Sequence, residues 1–518
     1  MKKSIKKPIL LSTVFFTGAC ILIIEVVAIR ILSPYFGNTI FNYSSVITVI
    51  LTGLAVGCYV GGKVADRRPS LSLFYWIILG GGLSVLLLQL ISVHYLETIS
   101  AHFSLMSGPL ASALVLFFLP AFLLGMLSPF AIKLLMLHVP KDGVGSISGE
   151  VIFWSTLGSI FGSLLTAFVL IPRLGIDRIV VSVGMAITML GLSALIILKT
   201  KKRSVIPVTI LATLLSSLTV AQPFEKDARA LYKGDGVYEA LAIYVAESTV
   251  HPKKRFFILK QDLSPSGWMY LDSDEHVADY TKYYALYRIF TPHAKDILTI
   301  GGGGYAVPKA YYKAIPDAVI DVVEIEPSLF DLAKKYFRVP TSDRLRNHVA
   351  DGRRFLKDSA KKYDVIFADA YYSFACVPPH LTTKEFFELT KSRLKEGGIF
   401  IGNFFGDLGP RSNSLMYILM KTFNSVFDNR YYFATVLPTI RTFQNIIFVG
   451  YNSDRRIDFK TLDLKKYNNA LISALPGKLI DVSKNDFTGY PLFTDNYSPA
   501  EYFTAVGLRF LPKPAASR

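Results

Sequence analysis

The stretch DILTIGGGG at residues 296–304 decides how this 518-residue chain is read. Asp296 to Ile300 form a short apolar run, enough for one buried strand, and Gly301 to Gly304 follow without a spacer. A helix is predicted to begin near Val307. Strand, glycine turn and helix in that order let a backbone turn tightly and approach a ligand closely. Downstream, AVIDVVE at 318–324 is a second strand, closing on an acid about 20 residues after the glycines. A carboxylate there accepts both hydroxyls of a ribose; Glu324 is the first choice and Glu326 the alternative. Asp351 falls where a third strand would end, and its carboxylate either receives an adenine amino group or caps a turn. Residues 363–370, YDVIFADA, give a fourth strand with Asp369 at its carboxyl end, the edge where open α/β sheets bind ligands. Residues 397–404 give a fifth, and 430–437 with 444–451 an antiparallel pair. Strands alternating with helices predict a mostly parallel sheet covered on both faces. Upstream, 238–247, 255–261 and 268–271 read as a small β-subdomain broken by Pro and Gly.

The first part of the chain is different in kind. Hydrophobic residues make up 51% of the chain and charged residues 18%, and the long charge-free runs crowd into the first part. A helix needs about 20 apolar residues to cross a bilayer. Seven runs qualify: 9–32, 44–62, 72–93, 110–133, 150–171, 178–198 and, weakest, 205–221. Lys and Arg cluster before the first and after the second, fourth and sixth, which puts the N-terminus in the cytoplasm of a cell-membrane protein. Seven crossings would leave the remainder of the chain outside, at odds with a cytosolic nucleoside, so the side of the second half stays open. Gly53, Gly57 and Gly61, and Gly158 with Gly162, stand at the spacing of close helix packing. Glu25 and Arg30 bring charge to the first span, either as a buried or interfacial pair or as part of a transport path. The expected organisation is a membrane domain over 1–225, a β-subdomain over 236–275 and an α/β domain over 276–510.

The net charge of +17 suits an anionic lipid surface. No basic run with interleaved aromatics points to nucleic acid. The three cysteines have no metal-site spacing, so neither a metal nor a disulfide framework is expected.

Five stretches in order, ILTIGGGG, VVEIEP, ADGRRFL, YDVIFADAYYS and VPPHLTTKEFFE, resemble the spermidine synthase (polyamine aminopropyltransferase) family. With EVVAIRILSPYFGN and LTGLAVGCYVGGKVADRRP, the whole chain resembles that family's membrane-fused bacterial branch. The resemblance implies a Rossmann-like, methyltransferase-type sheet and attack of an amine such as putrescine on decarboxylated S-adenosylmethionine. It implies Asp369 as proton acceptor and Gly301, Gly302, Gly303, Glu324, Asp351, Gly352 and His251 around the nucleoside. It implies no prosthetic group, and a homodimer. Two departures bear on the acceptor. Gly304 stands where the family has an acid, and Tyr372 replaces the second acid after strand four. Tyr280, Tyr283, Tyr371 and Tyr372 would then either meet the amine with their rings or stand as ordinary core or interface residues, Tyr280 and Tyr372 being the substrate candidates. The segment from Phe493 to Glu501 is also similar to the fused branch, and Asp495 and Glu501 either charge the site or cap the surface. Two other functions compete: a methyltransferase or lyase acting on S-adenosylmethionine, and a transporter or sensor with a ligand-binding soluble half.

Overall fold

The computed structural model describes residues 7–508 apart from 101, 139–142, 199–206, 208–229, 248–253, 263, 373–375, 410, 412, 454–455, 460 and 484. Two units are present, residues 1–228 and 229–518.

In the first unit the charge-free runs form six helices long and apolar enough to cross a membrane, among the described residues. They are Lys7–Phe36, Ile40–Arg67, Leu71–Ser100, Gly108–Leu137, Val144–Arg173 and Ile176–Ile197. The seventh expected span, 205–221, lies almost wholly outside the described residues. The helices associate in pairs: first with fifth, second with fourth, third with sixth. Small residues make this possible. A Cβ at Gly57 would overlap the carbonyl oxygen of Phe122 on the fourth helix. Lys7 pairs with Glu150 at 2.5 Å and Lys133 with Asp66 at 2.7 Å, so helix ends assigned to one membrane face by charge are also joined there. Glu25 and Arg30 are both half-buried on the first helix.

The second unit opens with an antiparallel sheet in chain order: β1 (Ala230–Asp235), β2 (Ala240–Glu247), β3 (Arg255–Gln261) and β4 (Ser264–Tyr270). The expectation of a short last strand at 268–271 is corrected. The strand runs back through Pro265, which is accommodated where the register against β3 shifts, between Leu259 and Lys260.

The main sheet has seven strands: β5 (Asp296–Ile300), β6 (Val319–Glu324), β7 (Leu345–Val349), β8 (Tyr363–Ala368), β9 (Leu394–Gly406), β10 (Arg430–Ala434) and β11 (Gln444–Tyr451). Their order is β10-β11-β9-β8-β5-β6-β7. β5 to β9 are mutually parallel, while β11 runs antiparallel to β9 and β10 antiparallel to β11. Successive residues of a strand face opposite sides, and here both sides are buried. Ile297, Val322 and Phe367 join one core, and Leu298, Val323 and Ile366 the other. That is why these strands read as unbroken apolar runs. Chain order reverses between β5 and β8, and the crevice at that switch point is where such sheets bind ligands.

Candidate active site

The glycine turn after β5 forms the floor of a cleft of about 400 Å³, the open solvent at its mouth included. Gly301 and Gly302 line it together with Asp369, Tyr280, Trp268 and Phe367. Gly301 has φ +91°, and a Cβ there would overlap the carbonyl oxygen of Asp369, so only glycine fits between the two strand ends. β4 roofs the turn. A Cβ at Gly304 would stand 3.0 Å from the Cα of Gly267, which gives a physical reason for glycine where an acid was expected.

Glu324, at the end of β6, is 6% exposed. Its Oε2 accepts from the amides of Gly302 at 2.7 Å and Gly303 at 3.4 Å, and its Oε1 from the amide of Glu326 at 2.9 Å. Burial pushes its carboxyl up and these amides pull it back. The carboxylate thus clamps the turn while keeping further lone pairs. Glu326 is committed elsewhere: Oε2 accepts from the Tyr238 amide at 2.9 Å, and Oε1 from the Ser328 hydroxyl at 2.6 Å.

Asp351 caps the helix Gly352–Asp358, its Oδ1 accepting from the Arg354 amide at 2.8 Å. Its Oδ2 lies 2.8 Å from His380 Nε2. Burial alone would raise its carboxyl, but His380 and the amides hold it below the usual carboxylate range. Gly352 is the first residue of that helix.

Asp369 follows β8 and reaches the cleft. The Asn403 side-chain amide on β9 donates to its Oδ1 at 2.8 Å, and the Tyr280 hydroxyl also bonds it. Asn403 is held in turn by the Asn445 side chain on β11 at 3.0 Å. Burial pushes the Asp369 carboxyl up to about 6, only partly offset by these two donors.

The structure therefore brings Gly301, Gly302, Tyr280 and Asp369 to one cleft, with Glu324 bonded to its glycine floor. Gly303 accompanies them in the turn, and Asp351 stands one strand farther along the same edge. Tyr372 turns its hydroxyl to Glu501 rather than lining the cleft. His251 lies outside the described residues.

Three side chains were not singled out from the sequence. Asn403 and Asn445 are polar residues inside apolar strand runs, a signal that was available. Glu239 is buried, and one carboxyl oxygen has no hydrogen-bond partner. Burial, then Asp262 and Glu324, push it up to about 8. Nothing local in the sequence marks it.

Residues 284–461 match the spermine/spermidine synthase domain. A polyamine aminopropyltransferase of Vibrio vulnificus (strain CMCP6) is 36% identical over 149 residues, 28% of this chain and 48% of that protein. The eEF1A lysine and N-terminal methyltransferase of Homo sapiens is 33% identical over 131 residues, 23% of this chain and 19% of that protein. The chain thus spans about half, or less, of the length of these relatives. Polyamine aminopropyltransferase 2 of Aquifex aeolicus (strain VF5) is 22% identical over 473 residues, 88% of this chain and 89% of that protein. Beyond the six long apolar helices of the described residues, the chain is thus similar over 284–461 to the spermine/spermidine synthase domain, and polyamine aminopropyltransferases are among the proteins it resembles.

Proposed function

We propose that the second unit transfers an aminopropyl group from decarboxylated S-adenosylmethionine to an amine such as putrescine, giving spermidine and methylthioadenosine. The observation that carries this reading is Asp369: a carboxylate at the switch-point cleft of a spermine/spermidine synthase domain, with its proton affinity raised toward neutrality. A general base works best when its pKa lies near the working pH.

The chemistry needs little more than orientation and one proton acceptor. The amine nitrogen attacks the methylene beside the sulfonium. The N–C bond forms, the C–S bond breaks, and its electron pair stays on sulfur, which leaves as a neutral thioether. The proton released from nitrogen passes to Asp369. Asn403 and Tyr280 fix the carboxylate and leave it lone pairs for that proton. In this reading Gly301 to Gly303 admit the nucleoside close to the backbone, Glu324 receives the ribose hydroxyls, and Asp351, beside Gly352, receives the adenine amino group. His251 remains a further candidate on the nucleoside. Ile325 and Val349, exposed apolar residues next to Glu324 and at the end of β7, offer walls for a purine. Tyr280 faces the acceptor amine, with Tyr372 nearby along the chain.

We also infer a cell-membrane location with a cytoplasmic N-terminus, lipid around the six helices, and a homodimer. The Lys and Arg clusters at alternate helix ends support the cytoplasmic N-terminus.

The full chain in detergent, given decarboxylated S-adenosylmethionine and putrescine, should release methylthioadenosine and spermidine in equal amounts. No release from folded protein overturns the proposal. A second reading, methyl transfer from S-adenosylmethionine, is favoured by the glycine at 304, since no acid there selects against the donor's carboxylate. S-adenosylhomocysteine as product would establish it.

A further inference from the structure

An apolar span tolerates charge at its ends, where side chains reach water and headgroups, far better than at depth. The helices packed round the first one keep to that rule. Lys63, Asp66 and Arg67 on the second, His94 and Glu97 on the third, Lys133 on the fourth, Glu150 and Arg173 on the fifth, and Asp177 and Arg178 on the sixth all stand in the first or last two turns. Asp66 and Glu150 are paired with Lys133 and Lys7, and Asp177 accepts from the Gln89 side-chain amide at 2.8 Å. Glu25 departs from the rule. At ~1.5 Å per residue it lies about 27 Å from the Lys7 end of its helix and about 16 Å from the Phe36 end. It is half-buried and makes no hydrogen bond or ion pair with any described residue. Arg30, five residues on, lies about 140° round the helix, so the two do not form the pair that the sequence allowed.

The fifth helix faces this stretch. The two helices run in the same direction: a Cβ at Gly158 would overlap the carbonyl oxygen of Phe15, and one at Gly162 that of Ala19. The Ser159 hydroxyl donates to the Gly18 carbonyl at 3.1 Å. Gly18, Leu22 and Glu25 follow at spacings of four and three, so Glu25 continues the face that meets the fifth helix. Gly158, Gly162 and Thr166 form the buried counterpart on that helix. There the fifth helix changes. Thr166–Leu170 is a π-helical turn, closed by the Ile171 amide on the Thr166 carbonyl, and it packs against the first helix. The register from Phe15–Gly158 to Ala19–Gly162 brings Thr166 level with Ile23, and the π turn alongside Glu25. Turns of this kind interrupt the ladder of backbone bonds and recur at functional sites. The Thr166 hydroxyl donates to the Gly162 carbonyl at 2.7 Å and keeps its lone pairs for a ligand.

We propose that Glu25 and the π turn beside it bind one small monovalent cation, an alkali ion or ammonium, in exchange for a proton on the carboxyl. Carboxylate, hydroxyl and backbone carbonyl oxygens are the donors such ions take in place of water. One carboxylate neutralises one charge, and no second acid acts on Glu25, so an ion of higher charge would carry its surplus into the hydrocarbon region. As the cation enters, the carboxyl O–H breaks and its proton leaves to water; as the proton returns, the cation leaves. The site is neutral in both states. The inference rests on the membrane location and is independent of aminopropyl transfer.

The test uses the full chain in phosphatidylcholine vesicles and dicyclohexylcarbodiimide, an apolar reagent that adds to a protonated carboxyl in apolar surroundings and leaves a stable N-acylurea. Adducts are mapped by mass spectrometry at neutral pH in choline chloride, against sodium, potassium and ammonium chloride titrated upward at matched ionic strength. Glu25 should carry the adduct in choline chloride. At least one of the other cations should suppress it about tenfold when present at about ten times its dissociation constant, and which one does so separates alkali ion from ammonium. The same cation should raise the melting temperature of the first unit in detergent, and Glu25→Gln should abolish that rise. Labelling of Glu25 that is equal in all salts overturns the site, as does a Glu25→Gln protein stabilised as much as the wild type. No adduct at Glu25 in protein that resists extraction by alkaline carbonate overturns the site and spares the membrane location. Protein that carbonate releases from the vesicles overturns both.

Discussion

Replacing Asp369 with Asn, and separately Tyr280 with Phe, tests the mechanism at its centre. The Asp369 carboxyl is pushed up to about 6 by burial. It acts as a base only when ionised, so the acid limb of kcat/KM should bend near pH 6. Rates should fall about tenfold for each pH unit below that. The Tyr280 hydroxyl bonds the ionised form and so lowers its proton affinity. A hydrogen bond to a charged group contributes ~1.5–3 kcal/mol, and one pKa unit corresponds to ~1.4 kcal/mol. Tyr280→Phe should therefore move the bend toward alkaline pH by about one to two units. Asp369→Asn removes the acceptor and should lower kcat by ~10²–10⁴, equivalent to ~3–5 kcal/mol. Methylthioadenosine affinity should change little. The assay is the initial rate of methylthioadenosine release from pH 5 to 9, on the full chain in detergent. An Asn variant keeping more than about a tenth of kcat, or a Phe variant whose bend moves toward acid, would refute the assignment.

Three further outcomes follow from the same geometry. Glu239 is protonated in the fold up to about pH 8 but ionises near its ordinary value when unfolded, so its contribution is complete at acid pH and lost as pH rises toward 8. The loss is at most ~1.4 kcal/mol per pH unit; melting of the second unit between pH 5 and 8 should slope less in Glu239→Gln, and equal slopes would count against the burial argument. Gly301→Ala forces a Cβ into the Asp369 carbonyl at positive φ, so calorimetry should find methylthioadenosine binding abolished. Gly57→Leu drives a side chain into the Phe122 backbone, and should lower the melting temperature of the first unit in detergent while the second unit's transition stays in place.

Much of the fold was legible because its strands are short apolar runs ended by Gly, Asp or Glu. β5, β6 and β8 came out within a residue or two of where they lie. β1 did not, since ALYKGD alternates half-buried with exposed residues and carries no apolar run. β9 is longer than the expected 397–404 because Leu394 to Glu396 extend it at one end and Phe405 with Gly406 at the other. In the candidate site, the acids at strand ends were visible from position alone. Their partners were not. That Asp351 meets His380, or that Glu239 faces Glu324, depends on segments brought together only by the tertiary fold.

The placement of β11 has a consequence for assembly. It is made after β10 yet lies between β10 and β9, so the sheet cannot close in the order of synthesis. The relay from Asn445 through Asn403 to Asp369 crosses that late seam. The glycine floor and its Glu324 clamp, by contrast, need only β5 and β6. The base is therefore tied to the antiparallel edge of the sheet, whereas the glycine floor is tied to its parallel middle.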